Sequence, residues 1–181
     1  MAKLFATKNP DISAREKCNM NRVRKVATQG MVLLENAGAL PLSKDVKSIA
    51  LFGNGARRTI KGGTGSGDVN SRFVVTVEQG LLEAGFSLTT KAWMDAYDKK
   101  VEDARLAYFM EMKENIAKKG MGAIMDLFNN PFMEPAIDAV DEAVIADTKA
   151  DAAVYVVARN SGEGKDRVPV AGDYELSDSE K

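Results

Sequence analysis

Apolar positions along this chain follow two periods, and the switches between them mark the elements. From Ser13 to Gln29, Val23, Val26 and Ala27 fall at helical spacing. Ser13 with Glu16 three residues on forms a capping-box pattern, so the segment reads as a helix. Met31-Val32-Leu33-Leu34 is a short apolar run, read as a brief strand or the end of that helix, and Asn36-Ala37-Gly38 turns the chain before Leu40-Pro41-Leu42. Ser48-Ile49-Ala50-Leu51-Phe52-Gly53 is apolar throughout, as a strand covered on both faces should be, and it ends in the loop signal Gly53-Asn54-Gly55. After a Gly-rich stretch from Lys61 to Asp68, Val77, Leu81, Leu82 and Ala84 mark an amphipathic helix stopped by Gly85, and Phe86 to Thr90 reads as a strand. Strand, helix and strand in that order predict a βαβ unit.

The second half is richer in helix. Tyr97, Val101, Ala104, Tyr108, Met112 and Ile116 recur every three or four residues with charges between them, predicting a long helix from Tyr97 to Lys119 that ends at Gly120-Met121-Gly122. Ala123 to Phe128 reads as a further helical piece broken by Asn129-Asn130-Pro131, and Pro135 to about Ile145 as another helix with proline in its first turn. Ala152 to Val157 is a second buried-strand pattern. Leu176 to Lys181 resembles a helix opening, with Ser177 as N-cap and Glu180 at the third position. The expected fold is α/β, a mostly parallel sheet flanked by helices on both faces in a three-layer α/β/α sandwich. It would form one domain over residues 1–181, incomplete at its C-terminal end, so a truncated product is expected.

Composition narrows the chemistry. The 181 residues suffice for one domain with a sizeable core. Basic and acidic residues number 25 and 26, and this balance gives no general electrostatic reason to bind nucleic acid or a membrane surface. Charged residues interrupt the first 17 positions, and no run approaches the roughly 18 apolar residues of a membrane span, so a cytoplasmic location is expected. Cys18 is the lone cysteine and cannot form an intramolecular disulfide. The chain has no histidine, which excludes Ser-His-Asp and Cys-His nucleophile systems and His-ligated zinc within it. No metal or other cofactor is expected, and chemistry must fall to carboxylates, lysine, tyrosine or backbone groups.

Two segments carry candidate chemistry. Ser161-Gly162-Glu163-Gly164-Lys165-Asp166-Arg167 follows the last strand pattern and sets one Gly-flanked carboxylate at the rim of a parallel sheet, where α/β proteins bind ligands. The other is Gly62-Gly63-Thr64-Gly65-Ser66-Gly67-Asp68. It lacks the Lys and Ser/Thr of a P-loop, and Asp68 would repel phosphate. Thr64 and Ser66 offer short hydroxyls suited to a sugar or polyol. On the residues alone, Glu163 reads more readily as a surface carboxylate paired with Lys165 or Arg167, and the glycines equally as a plain connection. A non-catalytic module binding a carbohydrate or a nucleotide stays open at this point.

Three stretches together resemble the second, α/β sandwich domain of glycoside hydrolase family 3, which accompanies a (β/α)8 barrel in many β-glucosidases. They are Gly30 to Asn36 with Leu40-Pro41-Leu42, Lys61 to Asn70, and Ser161 to Arg167 with Tyr174-Glu175-Leu176-Ser177. The resemblance implies hydrolysis of terminal β-linked glucosyl residues by a retaining two-carboxylate mechanism. It assigns the acid/base role to Glu163 and sugar contacts to Ser66, Thr64 and Asp68. The nucleophile would come from the missing (β/α)8 barrel domain, so the chain alone would be inactive. The partners implied are a β-glucoside or oligosaccharide substrate and that barrel. Lys165 departs from the aromatic or glycine residue that relatives often carry there. Because Met1 lies so close to the sandwich motifs, a permuted gene order with the barrel second is expected.

Overall fold

In the computed structural model, which describes residues 11–63, 65–67, 69, 71, 74–120, 122, 130, 132–162 and 166–181, the apolar run near residue 50 forms β1 (Ser48–Phe52). It is the central strand of a three-stranded parallel sheet of order β2-β1-β3, with β2 (Ser87–Leu88) and β3 (Ala152–Tyr155) on its two sides. Ile49, Ala50, Leu51 and Phe52 are all buried, so β1 is covered on both faces, as its unbroken apolar sequence predicts. Ile49 and Leu51 pack with Ala56 and Met94, against which Val77, Leu81, Leu88 and Val154 close. The chain is α/β, a parallel sheet with flanking helices.

Both neighbours are fastened to β1 by side chains. At its start, the Asp151 carboxylate accepts from the Lys47 and Ser48 amides at 2.9 and 2.8 Å and from the Ser48 hydroxyl at 2.8 Å. These bonds hold the Asp151 pKa below the ordinary aspartate value. On the other side the predicted strand Phe86 to Thr90 is shorter than expected, because a helix begins at Lys91. The buried Thr90 hydroxyl takes over the ladder, accepting from the Leu51 amide at 2.8 Å and donating to the Leu51 carbonyl at 2.6 Å.

The helices follow their caps. α1 (Ala14–Gln29) has the expected reciprocal box between Ser13 and Glu16, and α2 (Val77–Glu83) is capped by the Thr76 hydroxyl. α2 ends in a Schellman turn at Gly85, φ +94°, with Gly85 and Phe86 amides donating to Leu82 and Leu81 carbonyls. α3 (Lys91–Lys119) starts six positions before the expected Tyr97, and so includes Trp93. Trp93 meets the Phe52 ring edge-on at 5.2 Å. Met94, Tyr97 and Val101 form the buried face of α3.

Two expectations are corrected. Met31 to Leu34 form neither strand nor helix: α1 ends before them, no strand among the described residues pairs with them, and their side chains are exposed. The helix expected from Pro135 to Ile145 begins only at α4 (Glu142–Thr148), capped by Asp141. Residues 132–140 run instead as an irregular strap along α3. Tyr97 Oη and Lys100 Nζ take the Pro135 and Ala136 carbonyls, each at 3.1 Å, and Ile137 is buried between Tyr97 and Val101. These two bonds and the burial of Ile137 hold the strap against α3. The helical piece expected at Ala123 to Phe128 lies outside the described residues. At the end of the chain, the Glu180 carboxylate accepts from the Ser177 amide at 2.8 Å, one half of the expected capping box.

Candidate functional site

Parallel strands end on the same edge of a sheet, so the loops leaving β1 and β3 start side by side. The chain leaves β1 for one neighbour and returns to the other, which makes β1/β3 a switch point of the kind where open α/β sheets bind ligands. Past the strand ends the two segments stay zipped. The Val156 amide donates to the Phe52 carbonyl at 2.9 Å, and the Gly55 amide donates to the Val156 carbonyl at 3.0 Å. The Asn54 side chain then mimics a strand neighbour for Ala158, accepting from its amide at 2.8 Å and donating to its carbonyl at 3.1 Å.

Glycine makes this approach possible. A Cβ on Gly53, which also has φ +95°, would stand 2.3 Å from the Val156 carbonyl oxygen. Further out, a Cβ on Gly63 would stand 2.8 Å from the Ser161 carbonyl oxygen and 3.8 Å from the Gly162 Cα. The Gly-rich stretch therefore touches the segment that leads directly into Glu163. It also doubles back on itself, since a Cβ on Gly62 would fall 2.4 Å from the Gly67 carbonyl oxygen. Lys61 closes its base, donating from Nζ to the Val69 carbonyl and, at 2.9 Å, to the Ser71 hydroxyl.

The segment after β3 is braced at both stems. Arg167 Nη1 donates to the Asn160 carbonyl at 2.8 Å, and Nη2 reaches the Asp173 carbonyl at 2.6 Å and its carboxylate at 2.7 Å. The other Asp173 oxygen accepts from the Val168 amide at 2.8 Å. Arg159 donates to the same Asp173 carbonyl at 2.7 Å and pairs with Glu180. The hydrogen bond from Arg159, with help from Ser177, holds the Glu180 carboxyl below the usual glutamate value.

A second clamp fixes the exit of β1. Arg57 forks onto both Glu78 oxygens of α2 at 2.7 and 2.6 Å and reaches Asp95 and Asp98 of α3 at 2.7 and 2.8 Å. Burial alone would lower the Arg57 pKa, but its bonds to Glu78, Asp98 and Asp95 outweigh that and raise it. Arg58 adds an ion pair to Asp98 at 2.7 Å and lies over the Tyr97 ring. The loop that leads toward the glycines thus departs from a point tied to two helices.

Of the site residues expected from sequence, Ser66 is exposed on the Gly-rich loop. Thr64, Asp68 and Glu163 lie outside the described residues, although Gly63, Gly65, Gly67, Ser161 and Gly162 around them are described. The remaining motif stretch, Gly30 to Asn36 with Leu40-Pro41-Leu42, contributes Leu42 to the core rather than a group to this edge. Asn54, Arg57, Arg159 and Asp173 were not singled out from sequence. A polar residue between two glycines at a strand end was the available signal for Asn54, and the Arg57-Arg58 pair in the same loop for the clamp. Among the described residues, no group of three or more Cys, Asp or Glu side chains could hold a metal ion, and no helix is long and apolar enough to cross a membrane.

Residues 31–181 match the family model described as the glycosyl hydrolase family 3 C-terminal domain. The chain is 32% identical over 155 residues to beta-glucosidase A of Butyrivibrio fibrisolvens, covering 84% of this chain and 16% of that protein. It is also 32% identical over 164 residues to a beta-glucosidase of Ruminococcus albus, covering 90% of this chain and 16% of that one. The structure of beta-glucosidase 3B from Thermotoga neapolitana in complex with alpha-D-glucose superposes with a TM-score of 0.66 at 34% identity, over 96% of this chain and 22% of that chain. The chain therefore spans only a small part of the curated relatives it matches, 16% of each.

Proposed function

Because the chain belongs to the glycosyl hydrolase family 3 C-terminal domain family, we propose that it is the sandwich part of a retaining β-glucosidase and supplies the acid/base carboxyl, Glu163. The observation that carries this reading is the contact of Gly63 with Ser161 and Gly162 at the β1/β3 switch point. It joins a hydroxyl-bearing glycine loop to the segment that delivers a carboxylate. Relatives named beta-glucosidases, and a Thermotoga relative solved with glucose, support a glucoside as substrate.

A retaining glycosidase needs two carboxyl groups about 5–5.5 Å apart, one to attack the anomeric carbon and one to protonate the departing oxygen. In this reading the attacking carboxylate belongs to a (β/α)8 barrel outside the chain, and Glu163 faces it across the interface. Glu163 donates its proton to the glycosidic oxygen as the bond to the anomeric carbon breaks. It then removes a proton from the water that releases the sugar. Its pKa must be raised for the first step, and the neighbouring nucleophile's negative charge supplies that shift. Ser66, Thr64 and Asp68 bond sugar hydroxyls. No cofactor enters the scheme.

The test is Glu163→Gln in the full-length protein, assayed with aryl β-glucosides of graded leaving-group acidity. kcat/KM should fall by about a hundredfold or more for poor leaving groups and change little for strongly activated ones. An unchanged series removes the acid/base role. Binding of glucose without turnover by the unaltered full-length protein would instead favour a non-catalytic sugar-binding module.

A further inference from the structure

The described residues on either side of Glu163, beyond the end of β3, are tied by side chains that no part of the chemistry requires. On the incoming side, Asn54 bonds both backbone groups of Ala158, so the segment is indexed to the loop that leads to the glycines. On the outgoing side, Arg167 spans the mouth of the loop, with one nitrogen on the Asn160 carbonyl and another on Asp173. Asp173 is in turn held by Arg159 and by the Val168 amide. Arg167 is largely covered, with 23% of its side chain exposed, so its fork is shielded enough to act as a fixed brace rather than a solvated surface charge.

We propose that Asn54 and Arg167 are positioning residues: together they fix the two stems of the 160–167 segment and so set where its carboxyl meets the glycosidic oxygen. This rests on the acid/base reading of Glu163 given above. Neither side chain touches the reacting atoms. Asn54 sets the register between the segment and the glycine loop, and Arg167 fixes the width of the segment's mouth. A general acid works only within hydrogen-bond reach of the oxygen it protonates, and an error of about 1 Å in such a group costs on the order of a hundredfold in rate. The geometry gives each tie a distinct dependence on side-chain type. Lysine at 167 keeps the charge but lacks the planar fork that serves Asn160 and Asp173 together. Alanine at 54 leaves both Ala158 backbone groups without that partner.

Asn54→Ala, Arg167→Ala and Glu163→Gln are compared in the full-length protein, again with aryl β-glucosides of graded leaving-group acidity. A strongly activated leaving group departs without protonation, so its kcat/KM counts folded, sugar-binding sites and corrects for any loss of native protein. The expected result is that Asn54→Ala and Arg167→Ala lower kcat/KM about tenfold to a hundredfold for poor leaving groups while activated ones change by less than about threefold. Arg167→Lys should fall between Arg167→Ala and the unaltered enzyme. If Arg167→Ala does not accumulate, Arg167→Lys and Asn54→Ser carry the comparison. A loss of equal size for every leaving group would mean a purely structural role and overturn the inference, even while Glu163→Gln behaves as an acid/base variant. A flat series for Glu163→Gln itself overturns the acid/base reading and this inference with it.

Discussion

Gly63 lies so close to Ser161 that a Cβ at position 63 would stand 2.8 Å from the Ser161 carbonyl oxygen. The two residues are nearly a hundred positions apart in sequence. They meet because β1 and β3 are parallel neighbours whose outgoing segments remain paired as far as Ala158. This contact brings the two glycine-bearing sequence motifs together.

Replacing Gly63 should therefore damage the site. The obstacle in Gly63→Ala is a backbone oxygen, which has no rotamer by which to withdraw, so relief requires moving one segment away from the other. We expect a loss of about 1–3 kcal/mol in stability together with a fall in kcat/KM of the full-length protein. Gly80, inside α2, has nothing within 4 Å of its would-be Cβ. Gly80→Ala should stabilise the chain by about 0.5–1 kcal/mol. Urea unfolding of the two variants checks both signs, and destabilisation by Gly80→Ala would contradict the second.

Thr90 offers a sharper energetic test. Its hydroxyl serves both the amide and the carbonyl of Leu51, in the position where β2 no longer reaches. Thr90→Val keeps the shape and leaves two buried backbone groups unpaired, which should cost about 2–3 kcal/mol. Thr90→Ser retains both bonds and should cost clearly less. Equal losses in the two variants, read from denaturant midpoints, would show that the methyl group rather than the hydroxyl matters.

Much of this architecture was legible in the sequence, for identifiable reasons. β1 is an unbroken apolar stretch, so no amphipathic helix competes with it. The Ser13 and Glu16 box and the Gly85 stop are local signals, and they act where they stand. Met31 to Leu34 was misleading because an apolar run looks alike whether or not a partner strand arrives. Pro135 to Ile145 has helix-compatible residues, but Tyr97 and Lys100 of α3, distant in sequence, hold its first residues as a strap, with Ile137 buried against Tyr97 and Val101. The two glycine-bearing motifs could be found separately in the sequence. Their apposition depends on strand order, and the brace from Arg167 to Asn160 and Asp173 depends on contacts that no local sequence signal marks.

Acid should weaken the tie at the start of the sheet in a definite direction. Asp151 has a folded-state pKa below its ordinary value, owing to the Lys47 and Ser48 amides and the Ser48 hydroxyl. The unfolded chain therefore binds more protons between the two values, and stability rises with pH across that window. The contribution is fully present above the ordinary aspartate value, about pH 4, and is lost as pH falls through the lowered one. Asp151→Asn should be less stable than the unaltered chain near neutrality, with the gap closing in acid. Denaturant midpoints taken from about pH 6 down to about pH 2 provide the comparison. A gap that stays constant with pH would rule out this linkage.

The central claim is that Glu163 is the acid/base group of a retaining enzyme, and azide tests it most directly. In the full-length protein, Glu163→Ala should stall with an activated aryl β-glucoside once the glycosyl-enzyme has formed, because no base activates water. Azide needs no base, and it should enter from the face the glutamate has left. The account predicts faster turnover with added azide and β-glucosyl azide as the product. No rescue, or α-glucosyl azide as the product, would contradict it, the latter because it would make Glu163 the nucleophile instead.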